Sequence, residues 1–255
     1  MLKINNLEFA YNNKKAVLKG IDLELQDGSI GVVLGKNGAG KTTLFKCILG
    51  FVKPTGIIKF GNIDLTTLPR RERAKIIGYV PQELSFGDLT VYETILVGRL
   101  AHFSSFASAV DKEQVEKVMQ ELNIRHLANE IVNNLSGGER QKVAIARALV
   151  QEPKILIFDE PTGNLDIQNE QLIFDVVKRI VEERKITILI AIHNLSFALN
   201  FGDKFYLMKD GKLKYECDQE SIDEDKLDDI YGVKTKIYNL DGSKVITIGG
   251  KNENN

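Results

Sequence analysis

The run Gly35-Lys36-Asn37-Gly38-Ala39-Gly40-Lys41-Thr42 limits what this chain can become more than any other segment. Its spacing is glycine, four residues, glycine, lysine, threonine. Glycines let a backbone curl until several N–H groups point inward, a geometry that gathers phosphate oxygens. A helix starting just after such a loop adds the positive end of its dipole to the same anion. Lys41 supplies a mobile charge for β- and γ-phosphates, and the Thr42 hydroxyl can ligate Mg²⁺. The surroundings agree. Ile30–Leu34 is a continuous apolar run, as expected for a strand covered on both faces, and Thr42–Leu49 has a helical pattern. An ordinary glycine-rich turn with an exposed lysine has no need of that placement. The candidate cradle is therefore Gly35, Asn37, Gly38, Ala39, Gly40, Lys41, Thr42 and Thr43.

A second apolar run, Ile155-Leu156-Ile157-Phe158, ends in Asp159-Glu160. Apolar residues bury the strand, and the acids emerge at its C-terminal edge, where α/β sheets place ligands. Asp159 is positioned to hold Mg²⁺ through water, and Glu160 to polarise an attacking water as general base. Alone, two acids before Pro161 could simply open a turn; beside a phosphate loop they gain a role.

The remaining patterns frame these two features. Lys3–Phe9 alternates as a strand, with Ile4 and then Leu7 and Phe9 after a break. Ile21, Leu23 and Leu25 alternate with polar residues and stop at Asp27-Gly28. Asp111–Leu122 carries an apolar stripe of Val115, Val118, Met119 and Leu122, with Asp111 a plausible N-cap. Leu172, Ile173, Val176, Val177 and Ile180 mark a helix, followed by a strand at Thr187–Ile192. Asp210-Gly211 and Asp241-Gly242 each read as the turn of a hairpin. Strands alternating with helices imply a largely parallel α/β sheet, and the mostly helical stretch from about Thr90 to Val150 interrupts it.

The 255 residues, 43% hydrophobic, suffice for one large domain or a domain with an inserted lobe. A formal net charge of -1 gives no basic excess that would argue for nucleic acid. Two distant cysteines, Cys47 and Cys217, fit a reducing cytosol better than a disulfide framework. Cys47 reads as a small apolar helix residue. No apolar run approaches membrane-spanning length, and the N-terminus lacks a signal-peptide pattern, so a membrane role is expected to come through a partner. The polar end Lys251–Asn255 is expected to fray. His102 and His126 have no Cys or carboxylate at ligand-like spacing and are not read as metal ligands.

Leu135-Ser136-Gly137-Gly138-Glu139-Arg140-Gln141 resembles the signature sequence of ATP-binding cassette (ABC) ATPases and lies where they carry it, shortly before the acidic strand. Physically, Ser136 and two glycines open a helix through Val143, Ala144 and Ile145, a second anion-binding helix end. Ser136 followed by Glu139 also fits a capping box, and both readings can hold. Other marks of the family follow in order. Gln82, after Val80-Pro81, resembles the Q-loop glutamine that senses Mg²⁺ and the lytic water. Leu165-Asp166, in the run Pro161–Asp166, resembles the D-loop. His193 resembles the switch histidine at the γ-phosphate, and Tyr11 the aromatic that stacks on adenine.

The resemblance covers essentially the whole chain. It implies an α/β P-loop NTPase (RecA-like) core with a mainly parallel sheet, an N-terminal antiparallel β subdomain and an inserted helical signature subdomain. As boundaries it implies a single domain over 1–255, with the helical part at about 88–150 and a short C-terminal extension at about 220–255. It implies ATP and Mg²⁺ as cofactors, with Lys41, Gln82, Glu160 and His193 catalytic, and Thr42, Gln82 and Asp159 around the metal. It implies head-to-tail homodimers that hold each ATP between the phosphate loop of one copy and Ser136, Gly137 and Gly138 of the other. The implied partners are membrane permease subunits and, indirectly, an extracytoplasmic substrate-binding protein, not nucleic acid. The implied location is peripheral, on the cytoplasmic face of the membrane.

Leu89-Thr90-Val91-Tyr92-Glu93-Thr94, then Val97-Gly98-Arg99-Leu100-Ala101-His102, is similar to a segment of the metallo-chelate importer ATPases, which serve uptake of iron–siderophores, haem and cobalamin. Ala101 departs from the proline usual there. Ile230-Tyr231-Gly232-Val233 and Asp241-Gly242 also look like that group's tail. The rival readings are another transporter, for zinc, manganese or an exported molecule, and a soluble ABC ATPase of iron–sulfur assembly. Cassettes of DNA repair carry a long coiled coil, and no sustained heptads occur here.

Overall fold

The computed structural model describes residues 1–13, 15–103, 105–163 and 165–249. Asn164 and the Lys251–Asn255 end lie outside the described residues. The chain forms two compact units, one made of Met1–Thr66 with the chain from Leu189 onward, the other of Thr67–Ile188.

The first unit begins with β1 (Leu2–Phe9), β2 (Leu18–Leu25), β3 (Ile30–Leu34), α1 (Lys41–Leu49), β4 (Thr55–Phe60) and β5 (Ile63–Asp64). β1 pairs antiparallel with β2 and β4, and β4 with β5, giving a sheet ordered β2-β1-β4-β5. The break in β1's alternation is a β-bulge. The register shifts between Ile4 and Leu7, Asn6 adopts φ 46°, and its N–H donates to Asp22 Oδ1 at 2.8 Å. One extra residue returns Leu7 to the face of Leu2 and Ile4, and all three are fully buried.

The second unit contains α2 (Arg70–Ala74), β6 (Ile77–Val80), α3 (Val91–Val97), α4 (Ala109–Glu121), α5 (Gly137–Leu149), β7 (Ile155–Asp159) and α6 (Ile167–Arg184). β6 and β7 run parallel, with Val80 opposite Phe158. The stripe of α4 is as expected, since Val115, Val118, Met119 and Leu122 are buried. Its start differs: Ser108 is the N-cap, and Asp111 is the third helical residue. Asp111 Oδ2 accepts the Ser108 N–H at 2.8 Å and its hydroxyl at 2.6 Å, closing a capping box. In α6, Leu172 is exposed; the buried stripe is Ile173, Phe174, Val177, Ile180 and Val181.

β8 (Thr187–Ala191) returns the chain to the first unit, where α7 (Leu195–Phe201), β9 (Lys204–Lys209), β10 (Lys212–Asp218), α8 (Glu224–Tyr231), β11 (Thr235–Leu240) and β12 (Ser243–Ile248) follow. β9 lies parallel to β3 and antiparallel to β10. Asp210-Gly211 has φ 51° and 81°, and Asp241-Gly242 has φ 49° and 80°. Positive φ at both central residues is what a tight two-residue hairpin requires. Cys47 is buried in α1, and burial pushes its thiol up to about 12.

A buried ion pair fastens α4 within the second unit. Arg99 Nε donates to Asp111 Oδ1 at 2.9 Å, while Arg99 Nη1 donates to the Val150 carbonyl and to Glu152, each at 2.8 Å. Arg99 and Asp111 are each 4% exposed. Burial pushes the Asp111 carboxyl up, but the Ser108 hydrogen bonds and Arg99 outweigh it and hold it at about 2. Removing one member leaves a buried charge without its counterion. Asp111→Ala is expected to lower the unfolding free energy by about 3 kcal/mol in chemical denaturation, and Lys112→Ala, at an exposed neighbour, to change it by less than about 0.5 kcal/mol.

Candidate functional site

In the first unit, every residue of β3 is buried, and the strand delivers the chain to Gly35. Gly35 has φ 155°, and a Cβ there would stand 2.5 Å from the Met208 carbonyl oxygen, so only glycine fits. Gly38 has φ 81° with open space on its Cβ side, and Gly40 has φ 108°. Gly40 is the N-cap of α1 and brings no side-chain acceptor, so capping does not claim the amides that open the helix. Lys41 is 6% exposed and folds back over the loop, its Nζ donating to the Gly35 carbonyl at 2.8 Å. Glycines at positive φ, a helix opening at the end of the loop and a buried ammonium fit a polyphosphate chain.

Two further residues of this unit were expected at the nucleotide. Tyr11 opens a short 3₁₀ turn, is 40% exposed and meets the Phe9 ring edge-on at 4.7 Å between centroids. His193 is exposed in the short link between β8 and α7, next to Asn194, which caps α7.

In the second unit, the parallel register of β6 and β7 places the residues beyond their C-terminal ends side by side. Gln82 Nε2 donates to Glu160 Oε2 at 2.9 Å, so two candidate residues 78 positions apart meet. Asp159 is 2% exposed at the end of β7, a hard oxygen donor suited to Mg²⁺. Its charge is felt at Tyr79, whose hydroxyl is pushed up to about 12 by burial and then by Asp159. Glu160 adopts φ 52°, which a non-glycine residue occupies only under strain, and strain of this kind gathers at working sites.

The signature segment joins the D-loop segment in the same unit. Ser136 caps α5; its Oγ accepts the Glu139 N–H at 3.4 Å and donates to Glu139 Oε2 at 2.6 Å. These bonds hold the Glu139 carboxyl below the usual carboxylate range. Asp166 caps α6, its Oδ1 accepting the Asn169 N–H at 2.8 Å. A Cβ on Gly138 would stand 2.5 Å from Asn169 Oδ1, so glycine at 138 is what lets the two helix starts approach. Asn169 was not singled out by sequence; its one signal is the cap spacing Asp166-x-x-Asn169. A cleft runs among Gln82, Leu84, Gly137, Gln141, Pro161 and Leu165. Gln141 Nε2 is buried there with no hydrogen-bond partner among the described residues. Arg147 lies 4.8 Å over the Phe86 ring and anchors the segment after Gln82.

A glycine cradle that follows a buried strand and opens a helix capped by glycine, with no side-chain acceptor, defines a phosphate-loop nucleotide-binding protein. The ABC transporter family model matches residues 18–163, and the chain belongs to that family as an ATP-binding cassette ATPase. An uncharacterised ABC transporter ATP-binding protein of Methanocaldococcus jannaschii is 40% identical, over 96% of this chain and 97% of its own length. A probable iron chelatin transport ATP-binding protein of Helicobacter pylori is 36% identical (84% and 85%), and a phosphonates import ATP-binding protein of a Ruegeria species 35% identical (91% and 94%). Among solved structures, an inward-facing conformation of a candidate metal-chelate type ABC transporter superposes with TM-score 0.84 at 26% identity, covering 98% of this chain and 97% of the other. A dimeric cassette in a post-hydrolysis state, bound to ADP and Pi, superposes with TM-score 0.75 at 28% identity, covering 87% and 100%.

The capping box makes a stability claim about the signature helix. Ser136→Ala is expected to lower the unfolding free energy by about 1 kcal/mol, and Ser136→Thr by clearly less, in chemical denaturation.

Proposed function

We propose that this cassette is the ATP-hydrolysing motor of a membrane importer, and that two copies clamp ATP between the glycine cradle of one and the Ser136 helix end of the other. The observation that carries the reading is the Gln82–Glu160 hydrogen bond. A glutamine and a carboxylate just beyond the C-terminal ends of adjacent parallel strands form a pair whose remaining donor and acceptor capacity can bind one water beside them. Glu160 acts as general base on the attacking water, and Gln82 orients that water and reports on the metal. Mg²⁺, when bound, would supply charge that offsets the phosphates; Asp159 and Gln82 would offer it oxygen donors from the second unit, and Thr42 a hydroxyl from the first. Lys41 neutralises the β- and γ-phosphates, His193 contacts the γ-phosphate and Tyr11 stacks on adenine. Asp166 and Ser136–Gly138 face the partner's nucleotide. The dimeric cassette with ADP and Pi, and the exposed Ser136 at the start of α5, support this arrangement.

No helix among the described residues is long and apolar enough to cross a membrane, so permease subunits supply the pore. The second unit exposes Leu100 (58%), Phe106 (85%) and Val110 (58%), apolar surface suited to a docking permease. The chain then works at the cytoplasmic face of the membrane, supplied by an extracytoplasmic binding protein. The cargo is a metal chelate of the iron–siderophore, haem or cobalamin kind. The Gly98-Arg99 segment, the Tyr231-Gly232 tail, the iron chelatin relative and the metal-chelate type structure support it. The phosphonate relatives favour a second cargo, a phosphonate.

Glu160→Gln is expected to keep Mg-ATP binding, to lose steady-state turnover by at least a hundredfold and to sediment as a dimer in Mg-ATP; normal turnover would remove Glu160 from the role of base. For cargo, the native complex is isolated with its permease and binding protein and reconstituted in liposomes. Ferric or cobalt chelates are expected to stimulate ATP turnover, and stimulation by phosphonates alone would favour the second reading.

A further inference from the structure

We propose that Tyr231, at the end of α8, is a positioning residue for the phosphate loop, so that the C-terminal extension sets the affinity for nucleotide. The proposal rests on the cradle holding phosphate and adds a brace from a segment beyond residues 18–163, the stretch that the family model matches. The Gly35 N–H donates to the Tyr231 hydroxyl at 3.1 Å, while the Gly35 carbonyl accepts Lys41 Nζ at 2.8 Å. The first residue of the loop is thus held at both ends of its backbone. When Lys41 turns to a phosphate, the Tyr231 bond to Gly35 can stay.

The brace is itself anchored. Lys209 Nζ donates to Asp229 Oδ1 at 2.6 Å and to the Asp229 carbonyl at 2.7 Å, and the Tyr215 hydroxyl donates to Asp229 Oδ2 at 3.2 Å. Asp228 Oδ1 accepts the Thr235 N–H at 2.7 Å and hydroxyl at 2.9 Å, tying the helix end to β11. Leu227 and Ile230 are buried beneath. Gly232 closes α8 at φ 66°, and a Cβ there would stand 3.0 Å from Lys36 Nζ. The ammonium of the loop's second residue therefore sits at the negative end of the α8 dipole, a second attraction between extension and loop.

A glycine-rich loop has many conformations, and its apparent affinity falls with the fraction already in the binding shape. Losing one hydrogen bond reduces that fraction, and the affinity with it, about 2- to 10-fold. The test is Tyr231→Phe in the full chain, which keeps the ring and removes only the oxygen. Mg-ADP binding is measured by calorimetry, and ATP turnover by steady-state kinetics. The expected result is a Kd for Mg-ADP and a KM for ATP raised about 2- to 10-fold, with kcat unchanged. A merely structural tyrosine would lower the thermal midpoint and leave Kd and KM alone, and that result overturns the proposal. Lys41→Ala is the parallel control. If it binds Mg-ADP like the unaltered chain, the phosphate-loop reading fails; if it loses binding while Tyr231→Phe does not, the brace alone fails.

Discussion

A triphosphate brings several negative charges into a small volume, and holding it away from bulk water needs donors aimed before it arrives. Backbone amides can be aimed only by bending the chain into shapes that side chains forbid. That constraint explains Gly35, Gly38 and Gly40 at φ 155°, 81° and 108°. It also explains the demand upstream. Such a loop holds its shape only when its two ends are fixed, and the fully buried β3 and the opening of α1 fix them. Lys41, folded onto the Gly35 carbonyl, keeps the loop closed by its own charge.

The second unit answers a different need, placing a carboxylate and a helix end with little freedom. Parallel pairing of β6 and β7 fixes where Gln82 and Glu160 emerge, and the strained φ of Glu160 directs its carboxylate. Capping boxes at Ser108 and Ser136, with the Asp166 cap on α6, set where three helices begin. Each cap satisfies backbone groups that the helix itself leaves open, so these starts are determined locally.

Local determination is also why so much was legible in the sequence. β1, β2, β3, β7, β8 and the two hairpins follow from alternation, apolar runs and Asp-Gly turns, each a signal contained in a few residues. The break in β1 was visible as a pattern, but its cause, a bulge at Asn6, needed the register with β2. The start of α4 was read at Asp111 because the acid stands out; Ser108, three residues earlier, is the cap and Asp111 its reciprocal partner. β4 is exposed over most of its length and shows no alternation, and β5, α2 and β6 are only 2 to 5 residues long, so the sequence marks no element between Leu49 and Thr90. Contacts between distant segments were out of reach. The Gln82–Glu160 bond, the approach of Gly138 to Asn169 and the Gly35–Tyr231 bond join residues that only folding brings together.

The clamp between two copies can be tested by complementation. One chain carries Lys41→Ala and the other Ser136→Arg, so neither forms a working site with itself. In a mixed pair, the intact cradle of the second chain faces the intact Ser136 helix end of the first, leaving one complete site. The account predicts that mixing restores ATP turnover absent from each variant alone. Mixtures as inactive as their components, despite demonstrated mixed pairing, would contradict it.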